Sequence, residues 1–266
     1  MGGLSLTILK LGGSVITKKD KPFTPNLESI DRLAVEIAKA SVKSLIIVHG
    51  GGSFGHPVAK QYKLKEGYRR ASQILGFTKT RRVMTTLNGY IIDALIRHRI
   101  PAVAVQPSAC TITKEGRIFH IDMKPMLKML KTGFVPVMYG DVVPDLTLGF
   151  TILSGDQLIA NLASDLAAKR IIVGVDVDGL YTADPKLDPK AQLIASLNLQ
   201  ELNRLQLAVG GSTSLDVTGG MFGKIAELMP IVEKGVEVII INAGVPNRVY
   251  QALTNRGVVG TRLRFR

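Results

Sequence analysis

Short apolar runs alternate along this chain with longer stretches in which apolar residues recur every three to four positions. The runs are Leu6–Leu11, Leu45–Val48, Ala102–Val105, Phe134–Tyr139, Ile171–Val175 and Val236–Ile241. Several are apolar at every position, as in Leu45-Ile46-Ile47-Val48, so they predict parallel strands buried on both faces. The intervening stretches Asn26–Ala40, Gln73–Arg97, Asp156–Lys169 and Met221–Lys234 predict helices. Such β/α alternation implies an α/β fold, a mostly parallel sheet with helices on both faces. Arg117–Ile121 alternates polar and apolar instead, which predicts part of a peripheral hairpin. No repeat and no low-complexity linker divides the 266 residues. The best division falls near Lys169, giving halves 1–169 and 170–266 on one continuous sheet, countable as a single domain.

Composition narrows the chemistry. Cys110 is the one cysteine, so an intrachain disulfide and a thiol-rich zinc site are both excluded. No apolar run approaches the ~18 residues of a membrane span, and Lys10 interrupts the apolar N-terminal stretch. A reduced, cytoplasmic setting is the default expectation. The 34 Lys and Arg against 21 Asp and Glu leave a net charge of +13. The cations are scattered, Trp is absent and aromatics are 5%, so stacking platforms for nucleic acid are poor. A basic surface that attracts phosphorylated small molecules fits better.

Glycine is enriched, at 27 residues, and it clusters. Gly12-Gly13-Ser14, Gly50-Gly51-Gly52-Ser53, Gly210-Gly211-Ser212 and Gly219-Gly220 fall where strands give way to helices. Glycine there lets backbone N–H groups approach an anion, and a helix N-terminus favours negative charge. Several such turns suggest one multiply phosphorylated ligand or two phosphorylated ligands. Gly219 to Ile225 lacks the spacing and the hydroxyl of a Walker A loop. Gly50-x-Gly52-x-x-Gly55 matches a dinucleotide fingerprint, but no acidic residue closes a second strand about 20 positions on.

Pro57 suits a first helical position, which would put His56 at the mouth of a helix beside four glycines, where its ring could join backbone amides around a phosphate or simply cap the helix. His49 ends a buried strand and reads as structural. Lys10 closes the first strand, where a charge is expensive unless it meets an anion. Lys224 shares a helical stripe with Met221 and Leu228 and so faces inward. Asp156 follows Ser154-Gly155 at a helix start; it can serve the capping box of Ser154 and Gln157 or hold the two lysines. Lysines and backbone amides are the parts phosphoryl transfer requires, since its loose transition state needs positioning and neutralisation.

KLGGS (Lys10–Ser14), HGGG (His49–Gly52), SGD (Ser154–Asp156), DVDGLYTADP (Asp176–Pro185) and TGGMFGK (Thr218–Lys224) together resemble the amino acid kinase superfamily. With HGGGSFGHP, and His56 as marker, the chain looks like the isopentenyl phosphate kinases within it. The resemblance implies a three-layer αβα sandwich with an N-terminal acceptor half and a C-terminal nucleotide half. It implies MgATP as donor, isopentenyl phosphate as acceptor, isopentenyl diphosphate as product and a homodimer. Lys10, Lys19 and Lys224 would then neutralise the transferring phosphoryl, and Asp156 would orient lysines. Lys10, Leu11, Gly12, Gly13, Ser14 and Gly52 would bind ATP together with Asp176, Tyr181, Asp184, Gly219 and Lys224. The Mg²⁺ would be held by nucleotide phosphates rather than by protein ligands. Gly51, His56 and Gly155 would hold the acceptor phosphate. Phe77, Met84, Val137 and Ile152 are candidate walls for the five-carbon tail, or core residues. Rival readings are a kinase of the same superfamily acting on another phosphorus oxyanion such as fosfomycin, an NAD-dependent oxidoreductase, and a non-catalytic binder.

Overall fold

In a computed structural model of the chain, the structure describes residues 5–183, 185, 187–202, 204 and 220–265. Asp184 and Gly219, both expected at the nucleotide site, and the glycine turn Gly210-Gly211-Ser212 lie outside the described residues. Eight strands form the main sheet: β1 (Thr7–Leu11), β2 (Leu45–His49), β3 (Ala102–Ala104), β6 (Val135–Tyr139), β9 (Arg170–Val175), β10 (Ser196–Leu197), β11 (Glu237–Asn242) and β12 (Gly260–Leu263). Their order is β10-β12-β11-β9-β1-β2-β6-β3. All six predicted runs are strands of this sheet, and β11 with β12 is its antiparallel pairing among the described residues. β1 pairs with β2 on one side and β9 on the other, so the sheet continues across residues 169 and 170.

Alternation within each strand builds two cores. Ile8, Ile46, Ile171 and Val238 face α6 (Lys124–Thr132), α7 (Gly155–Asp165) and α8 (Met221–Val232). The next residue of each strand, Leu9, Ile47, Ile172 and Ile239, faces α2 (Leu27–Ala40), α4 (Ser72–Arg97) and α9 (Arg248–Leu253). The result is the αβα sandwich. The same parity places Lys10 on the face of Ile8, beneath α7 and α8.

β1 leads on to β2 on one side, and its other neighbour, β9, leads on to β10, β11 and β12 on the opposite side. A crevice therefore opens beyond the carboxyl ends of β1, β2 and β9, where ligands of parallel sheets bind. Gly12, Gly50 and Asp176 immediately follow those three strands.

A second sheet, ordered β5-β4-β7-β8, comprises β4 (Thr111–Lys114), β5 (Arg117–Ile121), β7 (Asp141–Asp145) and β8 (Gly149–Leu153). The hairpin expected around Arg117–Ile121 is β4-β5. The β7-β8 hairpin carries no matching sequence signal, because Asp141 and Asp145 bound its first strand and Pro144 interrupts that strand. Asp145 joins the two hairpin turns: its carboxylate accepts from the N–H groups of Glu115, Gly116, Thr147 and Leu148. Burial works against that charge, but the backbone donors prevail and hold its pKa at about 2.

Candidate active site

The two glycine loops are built into each other. A Cβ on Gly13 would lie 2.3 Å from Gly52 N, and one on Gly50 would lie 2.8 Å from Gly13 N. Gly52 has φ +47, and a Cβ there would meet Thr17 Oγ1 at 2.2 Å. Thr17 fastens the pair, its hydroxyl donating to Gly13 O at 2.7 Å and accepting from Ser53 N at 3.0 Å. Sequence reasoning overlooked Thr17, although it stands within KLGGSVIT.

α3 begins at Gly52, with Gly51 as N-cap, and runs to Gln61. The expectation that Pro57 opens this helix is thus wrong by five residues. The glycines themselves enter the helix, and Pro57 lies inside it. His56 therefore sits in the second turn rather than at the mouth. It stays against the loop, its Cδ2 3.3 Å from where a Gly51 Cβ would be. Its ring opens into the cavity. Burial there, and the ammonium groups of Lys224 and Lys10, push its pKa below the usual imidazole value, so it is neutral at pH 7.

At the end of β1, Lys10 is 5% exposed. Its Nζ donates to Asp156 Oδ1, and Lys224 Nζ lies 3.5 Å from Asp156 Oδ2. One carboxylate thus stands between two ammonium groups from different helices and strands. Burial pushes Lys10 down, opposed by Asp156 and assisted by Lys224. For Asp156 burial acts upward, but the two lysines outweigh it and its pKa lies below the usual carboxylate value. Of the two readings of Asp156, the geometry realises the bridging one. The capping box is half formed: Ser154 Oγ accepts from Gln157 N at 3.1 Å. The Gln157 side chain turns instead to Ile118 N and Gly116 O, tying α7 to the second sheet. Gly155 brings this helix close, since a Cβ there would lie 3.3 Å from Lys10 Cε.

Across the crevice, Asp176 follows β9. Its carboxylate accepts from Ser14 Oγ at 2.9 Å and from Lys19 Nζ at 2.7 Å. Lys19 lines the cavity and Lys18 does not. Tyr181 also lines it, braced by Asp178, which Arg248 engages at 2.5 Å and Asn242 at 3.0 Å. That support through Asp178 was missed, though the residue lies within the DVDGLY motif.

The cavity measures about 1420 Å³. Lys10, Gly12, Gly13, Ser14, Lys19, Gly51, Gly52, His56, Gly155, Asp156, Asp176, Tyr181 and Lys224 all line it. Leu11 does not. It is 2% exposed and packs toward α1 (Gly13–Ile16) and α2, because strand parity turns it away from the crevice. Only its carbonyl contributes, accepting from Gly50 N. Of the four tail-wall candidates, Met84 and Ile152 line the cavity. Val137 is fully buried in the sheet core facing α2 and α4. Phe77 lies one layer back, its ring 5.6 Å from that of Phe150, behind Ala59 and Val142. Ala59, Thr80, Val142 and Leu153 take their places in the wall.

His49 is structural. It is fully buried, its Nδ1 is 3.0 Å from Gly50 O, its Nε2 3.1 Å from Asn88 Nδ2, and its ring stacks on Tyr139. Burial lowers its pKa to about 4 against the pull of the Gly50 carbonyl.

The donor set fits a polyphosphate carrying its own Mg²⁺. Lysines and the glycines of both loops line the cavity, while Asp141, Asp156 and Asp176 are each already engaged by a cation. Among the described residues no group of three His, Cys, Asp or Glu is placed to cage a metal ion. No helix of the described residues is long and apolar enough to cross a membrane.

Comparisons with known proteins give the family. A sequence model of the amino acid kinase family matches residues 5–242. The chain is 46% identical to the isopentenyl phosphate kinase of Methanothermobacter thermautotrophicus, over 97% of this chain and 98% of that protein. It is 37% identical to the isopentenyl phosphate kinase of Methanocaldococcus jannaschii, over 98% and 99%. A solved isopentenyl phosphate kinase structure superposes with TM-score 0.85 at 43% identity, covering 97% of this chain and 99% of that one. The chain belongs to the amino acid kinase family, on the branch of the isopentenyl phosphate kinases.

Proposed function

We propose that the protein transfers the γ-phosphoryl group of ATP to isopentenyl phosphate, giving isopentenyl diphosphate and ADP. The observation that carries this reading is the Lys10–Asp156–Lys224 bridge at the floor of the cavity, set against two interlocked glycine loops and His56. The acceptor half is residues 1–169 and the nucleotide half residues 170–266.

An oxygen of the acceptor phosphate attacks the γ-phosphorus in line, and the bond from that phosphorus to the oxygen leaving with ADP breaks. Lys10 and Lys224 offset the charge on the equatorial oxygens; Lys19 does so from the nucleotide side. Asp156 holds the Lys10 and Lys224 ammonium groups in place from its two oxygens. Amides of Gly13, Ser14 and Gly52 hold ATP phosphates, with Asp176 and Tyr181 beside the nucleotide. His56 and the loop at Gly51 and Gly155 hold the acceptor phosphate; the neutral imidazole donates one N–H. Mg²⁺, when bound on the nucleotide, supplies further neutralisation of the phosphates. The prenyl tail lies among Ala59, Met84, Val142 and Ile152, where five carbons at ~0.8 kcal/mol per buried CH₂ give roughly 3–4 kcal/mol. A homodimer in the cytoplasm completes the reading.

The test is ³¹P NMR of the protein with MgATP and isopentenyl phosphate, with fosfomycin and glutamate in parallel. Diphosphate resonances with ADP, only in the isopentenyl phosphate sample, are expected. Turnover of fosfomycin alone would overturn the acceptor while leaving the lysine roles intact.

A further inference from the structure

A proline within a helix has no N–H for the carbonyl four residues back, and its ring pushes that carbonyl aside. Pro57 does this to Ser53 O in α3. The released carbonyl is not orphaned. It accepts from Phe23 N at 3.1 Å, a residue of the segment joining α1 to α2.

That segment, Lys18–Asn26, is a strap across the cavity mouth. Thr17 bridges to Pro25, Lys18 N donates to Thr24 O at 3.0 Å, and Asn26 N donates to Ile16 O at 2.9 Å. These bonds fix its two ends. Its middle rests on α3 through Phe23 alone in backbone hydrogen bonding, and through the Phe23 ring, 6.2 Å from that of Phe54 and edge-on to it. Pro22 lines the cavity beside Lys19. Phe23 takes φ +54, a conformation disfavoured for a residue bearing a Cβ and sustained here by those two contacts. Lys19 itself is 62% exposed in its side chain, so the strap rather than packing around the ammonium sets where it can reach.

We propose that Pro57 and Phe23 are positioning residues for Lys19: the proline keeps the Ser53 carbonyl open so that Phe23 anchors the strap from which Lys19 enters the phosphate site. The proposal rests on the reading of Lys19 given above. An alanine at 57 restores an N–H that competes for Ser53 O, and the strap loosens with no charged or hydrogen-bonding side chain lost from the cavity, which loses only part of the apolar Pro57 ring.

The experiment compares Pro57→Ala, Phe23→Gly and Lys19→Ala, singly and with each strap variant combined with Lys19→Ala, together with amide hydrogen exchange at Phe23. Phe23→Gly tolerates the positive φ while removing the ring contact, so it stands in should Pro57→Ala fold poorly. Expected are about tenfold lower kcat in each strap variant, unchanged KM for isopentenyl phosphate, and about tenfold faster Phe23 exchange in Pro57→Ala. In the Lys19→Ala background neither strap variant should lower kcat further. Losses that persist there would overturn the proposal and point to the neighbouring His56. Unchanged Phe23 exchange or full kcat in Pro57→Ala would also overturn it. Full activity of Lys19→Ala would instead overturn the reading of Lys19 itself, and the strap's role with it.

Discussion

Two lysine–aspartate pairs face each other across the crevice and differ in almost everything except composition. Lys10 and Asp156 have side chains only 6% and 14% exposed; Lys19 and Asp176 have 62% and 32%. The first pair comes from a central strand and a packed helix, and a second lysine shares its carboxylate. The second joins a strap to the end of a strand. In a low-dielectric floor the charges are fixed before any ligand arrives, and removing one partner strands the other. At the rim, water and salt screen the pair, and exchange of partners costs little. Fixed charge suits the transferring phosphoryl. A lysine that can leave a carboxylate for a phosphate suits entry of the nucleotide.

The largest expected effect breaks the buried pair. Asp156→Asn leaves Lys10 and Lys224 unbridged; kcat should fall about 10³- to 10⁴-fold and stability by about 3 kcal/mol. Steady-state kinetics and urea unfolding check both. A loss below tenfold would remove the distinction between the pairs.

A second test titrates the buried side. His49 is neutral in the fold and has an ordinary pKa of 6.5 when unfolded, so the unfolded state binds the extra proton as pH falls. Stability is full above pH 6.5 and declines down to about pH 4, by about 3 kcal/mol in all. His49→Asn should flatten that window in urea titrations. Asp156, whose pKa is depressed below 3.8, should add a separate loss only at lower pH.

His56 lies between the two regimes. His56→Ala should lower kcat/KM for isopentenyl phosphate about a hundredfold, with the melting temperature nearly unchanged because the ring opens into the cavity. His56→Gln, keeping one donor, should retain part of the activity; complete loss would mean the ring carries charge or a proton.

The smallest effect belongs to the exposed pair. Lys19→Ala should lower kcat about thirtyfold while stability changes by less than ~1 kcal/mol. Double-mutant coupling between Lys19 and Asp176 should shrink between low and high salt, whereas that between Lys10 and Asp156 should not.

Much of this was legible in the sequence. Apolar runs gave six of the eight strands of the main sheet, as burial on both faces requires; β10 and β12, at one edge, carry no such run. The clusters at Gly12-Gly13 and Gly50-Gly51-Gly52 marked two loops, because a close approach of backbones tolerates no Cβ, as Gly13 against Gly52 shows. Lys10 could be recognised because a charge ending an apolar strand needs a partner. Less legible were features set by parity and depth. Leu11 and Val137 share the motif or strand of true cavity residues but point into the core. The choice of Met84 and Ile152 over Phe77 depends on which layer of α4 and of the second sheet reaches the opening.

What the sequence alone determined, then, is most of the central strands and the helices between them, the glycine loops that follow β1 and β2, and the cations near them. These follow from periodicity and from backbone sterics, which act over a few residues. The tertiary structure alone decided that one carboxylate bridges Lys10 and Lys224, that Thr17 fastens two loops, and that a carbonyl freed by Pro57 receives Phe23. From the carboxylate to its lysines, from one loop to the other and from the strap to α3, those contacts span 30 to 146 positions, and no local pattern encodes a distance that only the packed sheet brings to zero.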